Sequence, residues 1–415
     1  MKTVLILMDA FRHDYIESDN TPFLWKCAQD GEYYTRVKQS LGFCERSEIL
    51  TGLKGNESGF FTAIGFDPKN SPYASIKYLK QLQALEGVII FFLKIFPNHI
   101  SGKIQKKIRN LIFNIFFKKS GIKMNSYSIP YSWLPYFALT EDRIDHRNRE
   151  AFSVPSILSL LDDAGKKYFY DTFSALGFNS KYGSDEDRFE AVIREAKTNP
   201  KDFYLIYISA PDAYGHVYGP ESSLFKKKLH KLDNDLFDFV QRLEGIDSGH
   251  NYVFLGDHGM VTVTHNLNAE KEIQLLLQSA ELIKGKDVIY FLDSTMIRIW
   301  ALTDKAREAL PTILGGSDAI NKYGEWMNKE NAIRYHVPWP DRRYGDYLWV
   351  ANSGCVVFPD FFHRLSSNKG MHGYNPELPD CQGMCIKWGE GVPADQRTSI
   401  PLSGIFKLLK DSLEL

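Results

Sequence analysis

Short apolar runs alternate with helical patterns of hydrophobic positions along most of the chain. The runs have the length and composition of buried β-strands, and they lie at 4–8, 203–209, 252–256 and 355–358. Between them, apolar residues recur with helical periodicity, which predicts helices over 21–31, 154–165 and 223–245. Strands that alternate with helices indicate an α/β fold, in which a mostly parallel central sheet has helices on both faces.

Residues 73–150 depart from this alternation. From Gly87 to Thr140 the sequence has eight Lys or Arg residues and no Asp or Glu. A helical pattern over 103–119 has one apolar face, and the rest is largely Lys and Arg; the apolar residues are Ile104, Ile108, Leu111, Ile112, Ile115 and Phe116. Two interpretations stay open. The segment is either a cap that packs on the main body, or an element that lies on an anionic membrane surface or grips a lipid-linked anionic substrate.

Composition and charge exclude several classes of protein. The 415 residues are 44% hydrophobic and 24% charged, which is ordinary for a globular protein with a large core. A net charge of −1 provides no field that would attract a nucleic-acid polymer, so we expect none as a partner. Five cysteines, an odd and sparse set, fit a reducing compartment.

The N-terminal apolar run does not have the features of a signal peptide. It is short, and Asp9 follows it without a cleavage site of small residues. Uncharged apolar stretches elsewhere are too short to predict a spanning helix. We therefore expect a cytoplasmic protein, and attachment to the inner membrane surface through 73–150 stays open.

Side chains that bind metals follow several of the predicted strands. Carboxyl ends of parallel strands gather at one edge of a sheet, so such residues meet there. The candidates are Asp9, Asp212, His216, Asp257, His258 and His372. Carboxylate oxygens combined with imidazole nitrogens suit Zn²⁺ or Mn²⁺. Six ligands suffice for two ions that leave positions open for a phosphoryl group.

The order and setting of these residues resemble the alkaline phosphatase superfamily, most closely its nucleotide pyrophosphatase/phosphodiesterase branch. The resemblance covers roughly 1–66 and 150–395, and its motifs are LMDAFRHDY, TGLKGNESGF, DAYGHVYGP, GDHGM and GMHGYNP. It implies an alkaline phosphatase-like fold with cap insertions and two divalent ions, Zn²⁺ in the first place and Mn²⁺ as the alternative. It also implies the ligand sets: Asp212, His216 and His372 for one ion, and Asp9, Asp257 and His258 for the other.

The same resemblance implies a domain organisation. Residues 1–72 and 151–415 form the alkaline phosphatase-like catalytic core, and 73–150 is an insertion. Within the core, 265–350 is a variable segment that resembles the cap covering the site in the phosphodiesterase branch. The two variable segments together would form the pocket for the leaving group.

The stretch SLGFCERSEILTG, residues 40–52, leaves the attacking group open. The resemblance implies a Ser, Thr or modified Cys at the N-terminus of a helix, ten residues before Gly52, and that position holds Gly42. The first alternative is Cys44, whose thiolate would be strongly nucleophilic between two ions. The second is a metal-bound hydroxide in the space that the glycine opens. The third is Ser40 or Ser47.

Two charged residues follow this position. Glu45 stands where the family has an Asn that holds a phosphoryl oxygen, so it either binds metal or is neutralised by Arg46. Arg46 is a candidate for binding phosphate oxygens, although an exposed helix pair of the two residues stays open. We predict Cys44 and Arg46 as the catalytic residues.

The function predicted from these features is two-metal-dependent hydrolysis of phosphodiester or pyrophosphate bonds. The substrate would be a phosphate-ester small molecule, either nucleotide-linked or lipid-linked. Aromatic residues would form a wall against the second substituent of a diester, and the candidates are Phe11, Phe43, Tyr214, Tyr218 and Tyr374. The alternatives are a phosphomonoesterase or phosphotransferase on the same scaffold, and a catalytically lapsed scaffold that binds anions.

Overall fold

The computed structural model describes residues 2–93, 98–171 and 181–415. Its strands are β1 (Lys2–Met8), β2 (Glu32–Lys38), β3 (Ile64–Phe66), β4 (Phe137–Leu139), β5 (Tyr168–Tyr170), β6 (Phe203–Ile208), β7 (His250–Gly256), β8 (Val261–Thr262), β9 (His265–Leu267), β10 (Val288–Leu292), β11 (Met296–Ala301), β12 (Gly324–Trp326), β13 (Tyr347–Ala351), β14 (Cys355–Val357), β15 (Gly370–Met371), β16 (Gly383–Trp388), β17 (Asp395–Arg397) and β18 (Ile400–Pro401).

The helices connect these strands in chain order. They are α1 (Pro22–Asp30), α2 (Glu45–Thr51), α3 (Gly55–Ser58), α4 (Leu79–Leu93), α5 (Asn98–Ile112), α6 (Ile157–Asp163), α7 (Asp185–Thr198), α8 (Ala210–Tyr218), α9 (Ser223–Glu244), α10 (Ala269–Ser279), α11 (Asp304–Ile313), α12 (Asp318–Tyr323), α13 (Lys329–Arg334) and α14 (Gly404–Leu413).

The central sheet has the order β17-β2-β16-β7-β1-β6-β5, and β18 pairs with β2. Strands β5, β6, β1 and β7 are parallel neighbours, whereas β16 runs antiparallel to both β7 and β2. The prediction of a mostly parallel sheet is confirmed. The predicted strand at 355–358 forms as β14, but it pairs with β9 in a separate small sheet.

Helices cover both faces of the central sheet. In β1, Val4 and Ile6 face a core built with α1, α7 and α9. Leu5 and Leu7 point the other way, into a core built with α2, α6 and α14. Because both faces are buried, the strand is a continuous apolar run, which is the feature that made it recognisable in the sequence.

A second sheet, of order β10-β11-β13-β12, is antiparallel and falls in the 265–350 segment except for the last residue of β13, Ala351. Its core is shared with the 73–150 segment, because Trp133 packs edge-on against Tyr290 and Phe137 against Trp300. Strand β4, near the end of that segment, pairs with β3. The domain boundaries at 72 and 151 stay a prediction.

The 103–119 pattern forms α5 and a π-helical turn, Phe113–Phe117, rather than one continuous α-helix. Its apolar residues do not form a fully covered face, because Leu111, Ile115 and Phe116 are exposed. In contrast to these apolar residues, the charged residue Arg109 is buried, and its guanidinium binds the Glu86 carboxylate on α4. Within the part of the chain that the structure describes, no helix combines the length and apolarity needed to cross a bilayer.

Candidate active site

Three of the candidate ligands follow adjacent parallel strands. Asp9 comes directly after β1, and Asp257 and His258 come directly after β7. Since β1 and β7 pair in parallel register, with Met8 opposite Gly256, the residues after them meet at one edge of the sheet.

The other three ligands come from α8 and from the segment after β15. Residues 210–218, directly after β6, form α8, which was not among the predicted helices. Asp212 and His216 are four residues apart and therefore share one face of it. His372 follows β15, and the backbone N–H of Lys369, just before that strand, donates to the carbonyl of His216.

Asp9, Asp257 and His258 form the first cluster, in which one ligand atom of each residue lies within 4.8 Å of the others. The Nε2 atom of His258 is 3.0 Å from Oδ1 of Asp9 and 3.9 Å from Oδ1 of Asp257. Its Nδ1 atom lies 2.9 Å from the carbonyl oxygen of Gly259, which leaves Nε2 for the cluster. The Tyr207 hydroxyl donates to Oδ2 of Asp9 and fixes that carboxylate.

Asp212, His216 and His372 form the second cluster, with the same 4.8 Å limit between ligand atoms. Oδ1 of Asp212 is 3.1 Å from Nε2 of His216 and 3.4 Å from Nε2 of His372. The Nδ1 atom of His216 lies 2.8 Å from the carbonyl oxygen of Gly370. The rings of His372 and His258 stack with centroids 4.1 Å apart, so the two clusters adjoin.

The donor atoms of both clusters fit divalent cations. Nδ1 of His372 is buried without a hydrogen-bond partner among the described residues, and Oδ1 of Asp212 faces the Nε2 atoms of both histidines. In the first cluster, burial and the adjacent Asp9 carboxylate raise the pKa of Asp257 to about 7. Buried carboxylates that approach one another are costly unless a cation neutralises them. The six residues predicted as ligands are therefore brought together in two groups, each able to hold one ion.

The backbone at Gly42 leaves no room for a side chain. Its φ is +137°, and a Cβ atom placed there would lie 2.4 Å from the carbonyl oxygen of Phe61. That oxygen already accepts a hydrogen bond from the N–H of Phe43. A serine or threonine at position 42 would require this loop to shift.

The structure places Cys44 and Arg46 away from the roles predicted for them. Helix α2 begins at Glu45 with Cys44 as its N-cap, but the thiol is 8% exposed and does not line the cavity described below. Burial raises the pKa of that thiol well above its ordinary value. The Arg46 guanidinium borders the cavity but binds Glu141 at 2.8 Å and Asp142 at 2.6 Å.

The two serines have structural contacts instead. The Ser40 hydroxyl accepts a hydrogen bond from the N–H of Gly55, and the Ser47 hydroxyl donates to the carbonyl of Cys44. Both side chains are buried and neither lines the cavity. Of the carboxylates at the start of α2, that of Glu45 belongs to a residue that lines the same cavity as the clusters.

A cavity of about 480 Å³ opens over both clusters. Of the predicted aromatic wall, Phe43 lines it, and its ring packs edge-on against His372. Phe11 and Tyr374 are buried in the core instead.

Tyr214 and Tyr218 stack on one another beside the core that is built with α1, α7 and α9, and they do not line the cavity either. The aromatic wall therefore differs from the predicted one in all but Phe43.

Two aromatic residues that the sequence did not single out complete this wall. Tyr127, from 73–150, and Phe362 line the cavity and pack edge-on with ring centroids 4.9 Å apart. The 265–350 segment contributes Asp293 and Ser294. Nothing in the local pattern around these residues signals the site, because their position depends on how distant segments pack.

Comparisons with known proteins agree with this geometry. The sequence profile described as type I phosphodiesterase / nucleotide pyrophosphatase matches residues 3–375. Bis(5′-adenosyl)-triphosphatase ENPP4 of Bos taurus is 25% identical over 80% of this chain and 74% of that protein. The Homo sapiens protein of the same name is 26% identical over the same shares.

Solved structures share the fold. Human ectonucleotide pyrophosphatase/phosphodiesterase 5 superposes with a TM-score of 0.68 at 18% identity, over 100% of this chain and 95% of that one. The murine protein of that name, solved in complex with AMP, gives 0.66 at 18% identity over the same shares. The predicted alkaline phosphatase-like fold is confirmed. The chain belongs to the type I phosphodiesterase / nucleotide pyrophosphatase family, whose members hydrolyse phosphodiester and pyrophosphate bonds.

Proposed function

We propose that this chain hydrolyses a phosphodiester or pyrophosphate bond of a nucleotide-linked substrate with the help of two divalent ions, Zn²⁺ or Mn²⁺. The observation that carries the proposal is the pair of ligand clusters that adjoin beneath one aromatic-walled cavity. The relatives named as bis(5′-adenosyl)-triphosphatases and the AMP complex of the murine structure support a nucleotide as part of the substrate.

Some residues of the site would bind the two cations, and others would contact the substrate. Asp212, His216 and His372 would hold one ion, and Asp9, Asp257 and His258 the other. When bound, such a pair supplies positive charge to the attacking and leaving oxygens of a phosphoryl group. Tyr207 keeps the Asp9 carboxylate in position, and the aromatic wall excludes water from the substituents of the substrate.

The charges in the cavity favour a diester over a monoester. Among the described residues that line it, Arg46 is the only Lys or Arg, and its guanidinium is bound to two carboxylates. A monoester carries a further charged oxygen that would need its own cationic partner. A diester or pyrophosphate instead presents a substituent to Phe43, Tyr127 and Phe362.

The attacking group that fits this cavity is a water molecule. Gly42 has no side chain to attack with, and the Cys44 thiol lies outside the cavity. In the proposed step the water oxygen bonds to phosphorus, the ester bond breaks, and one proton passes to the leaving oxygen. One water is consumed and no covalent enzyme intermediate forms.

A comparison of four substrates tests the function. Purified protein loaded with Zn²⁺ or Mn²⁺ should hydrolyse bis-p-nitrophenyl phosphate faster than p-nitrophenyl phosphate, and a chelator should stop both reactions. The variant Asp212→Asn should lose activity, whereas Glu390→Gln, an exposed acid far from the clusters, should keep it. A preference for the monoester, or turnover that survives chelation, would overturn the proposal.

The third and fourth substrates test whether the aromatic wall binds a nucleotide base. We expect Tyr127→Ala to lower kcat/KM about tenfold for p-nitrophenyl thymidine 5′-phosphate, because a base stacked on an aromatic ring contributes roughly 1–3 kcal/mol. The same variant should change kcat/KM little for methyl p-nitrophenyl phosphate, which has no base. Equal losses for the two esters would contradict a nucleotide-binding role for this wall.

We also propose that α4 and α5 attach the protein to an anionic membrane surface. Large apolar side chains are exposed on both helices, among them Phe91 at 68% and Leu111 at 59%. Lys103, Lys106 and Lys107 are exposed on α5. Apolar and basic groups on one surface suit the interface of anionic lipids.

Vesicle flotation tests this attachment. The protein should float with vesicles of phosphatidylcholine and phosphatidylserine, and the variant Phe91→Ser/Phe92→Ser should not. Leu224→Ser, which alters an equally exposed apolar residue on α9, serves as the control and should still float. Failure of the unaltered protein to float would remove the proposal without touching the hydrolase activity.

A further inference from the structure

The carboxylate of Glu45 lines the cavity without a side-chain partner among the described residues. Glu45 is the first residue of α2, is half-buried, and lines the cavity with both ligand clusters. Among the described residues it forms no hydrogen bond or ion pair with another side chain. The adjacent cation does not serve it, because Arg46 binds Glu141 and Asp142.

The other carboxylate of α2 shows the contrast. Glu48 is buried, and its Oε1 accepts a hydrogen bond from the backbone N–H of Ser40 at 2.8 Å. Its position is explained by the fold. Glu45 has no such contact with another part of the fold, and its carboxylate accepts from its own backbone N–H at the start of the helix.

The charged neighbours of Glu45 belong to one of the two clusters. The charged groups that act most strongly on its carboxyl are His258, Asp257 and Asp9. Its oxygens lie outside the group whose ligand atoms are all within 4.8 Å of one another, so a bound ion would draw a third carboxylate toward a cluster that already has two. Such a concentration of negative charge is unfavourable without a cation.

We infer that Glu45 is a further ligand of the cation held by Asp9, Asp257 and His258, which makes the two cation sites chemically unequal. This inference rests on the metal-dependent function proposed above. The first site then has three carboxylates and one imidazole, whereas the second has the single carboxylate of Asp212 and two imidazoles.

Unequal donor sets give unequal metal preferences. Oxygen-rich sites suit hard cations such as Mn²⁺, and imidazole-rich sites suit Zn²⁺. The oxygen-rich site should therefore bind Mn²⁺ more tightly than its neighbour.

Titration of metal-free protein with Mn²⁺, followed by electron paramagnetic resonance of the free and bound ion, tests the inference. The unaltered protein should show a tight site and a weaker site. Glu45→Gln, which keeps the shape but loses the charge, should weaken the tight site at least tenfold and leave the weaker one unchanged. Glu390→Gln is the control for loss of one exposed negative charge and should behave as the unaltered protein.

The outcomes separate the inference from the proposed function. If the unaltered protein binds two ions and Glu45→Gln leaves both affinities within threefold, Glu45 is not a ligand while the hydrolase proposal stands. Equal weakening of both sites would also overturn the inference, because it indicates a general structural effect. If the unaltered protein binds neither Mn²⁺ nor Zn²⁺, the proposed function fails as well. Glu45→Asp, with a shorter carboxylate, should give an intermediate loss and serves if Glu45→Gln does not fold.

Discussion

At the scale of single residues, Gly42 explains why the attacking group was hard to identify from the sequence. A Cβ atom at position 42 would meet the carbonyl oxygen of Phe61, and the φ of +137° is one that side chains rarely adopt. The backbone conformation at position 42 therefore requires glycine, and glycine has no side chain that could act as a nucleophile. Restoring a hydroxyl would disturb the loop before it could attack.

We expect Gly42→Ser to lower the free energy of unfolding by about 2–4 kcal/mol and to give no gain in activity, because strain and overlap add. Urea denaturation of the metal-free protein measures the loss. Gly121→Ser is the matched control, since φ is +80° there but nothing lies within 4 Å of its Cβ position, and it should cost about 1 kcal/mol. A stable Gly42→Ser protein would contradict the geometry given to this loop.

The Cys44 thiol provides a second test at this scale. Because Cys44 occupies the N-cap position of α2 without a side-chain capping bond and does not line the cavity, Cys44→Ala should keep kcat/KM for a diester within about threefold. Steady-state kinetics of the metal-loaded protein measures this. A loss of several orders of magnitude would reinstate the thiolate as the nucleophile and remove attack by water.

His146 gives a prediction for stability against pH. It is buried, its Nδ1 atom lies 2.7 Å from the Tyr170 hydroxyl, and burial lowers its pKa to about 3. Below about pH 6.5 the unfolded chain therefore takes up a proton that the folded chain does not, so stability falls as the pH falls.

The contribution of His146 should amount to about 2 kcal/mol between about pH 6.5 and about pH 5. We expect His146→Phe, which retains a ring beside Phe152, to lose that part of the pH dependence. Urea denaturation at both pH values measures it for the two proteins. An unchanged slope in the variant would show that His146 takes up its proton in the folded state.

At the scale of elements, a buried ion cluster joins the start of α2 to the segment after β4. Arg46 binds Glu141 and Asp142 in the 3₁₀ turn Glu141–Arg143, and all three side chains are buried. The cluster fixes the cavity-facing end of α2 against the insertion. Its members lie far apart in sequence, so the local pattern indicated an exposed Glu45–Arg46 pair or a phosphate ligand instead.

Removing one member of this cluster should be costly. Arg46→Met leaves two buried carboxylates without their cation, and we expect a loss of about 3–5 kcal/mol in the free energy of unfolding. Arg149→Met breaks an exposed pair with Asp163 and should leave the free energy of unfolding nearly unchanged, because solvent screens that pair. Chemical denaturation compares the two. Equal, small losses would mean that Arg46 does not anchor α2.

Elements that are stabilised by a regular apolar pattern could be predicted from the sequence, and the others could not. The strands β1, β6 and β7 are apolar on both faces, and α9 has one long apolar face, so pattern alone predicted them. Helix α8 was not predicted, because its glycine and its proline are more typical of loops. The exposed apolar residues of α4 and α5 gave no signal of which face packs.

At the scale of the whole molecule, the site is assembled from distant parts of the chain. Three ligands follow strands of the central sheet, and the others come from α8 and from the segment after β15. The aromatic wall comes from Phe43, from the insertion and from the segment before β15. The six ligands could be predicted because each lies in a motif with its own spacing. Tyr207, Tyr127 and Phe362 could not, since their roles depend on contacts that no local pattern records.

The metal content of the purified protein tests the central claim most directly. Elemental analysis after reconstitution with Zn²⁺ and removal of excess metal should find two ions per chain, one of them lost in Asp212→Ala and the other in Asp257→Ala. The matched variant Glu390→Gln should retain both ions. A content near zero in the unaltered protein, or two ions retained in both alanine variants, would contradict the account.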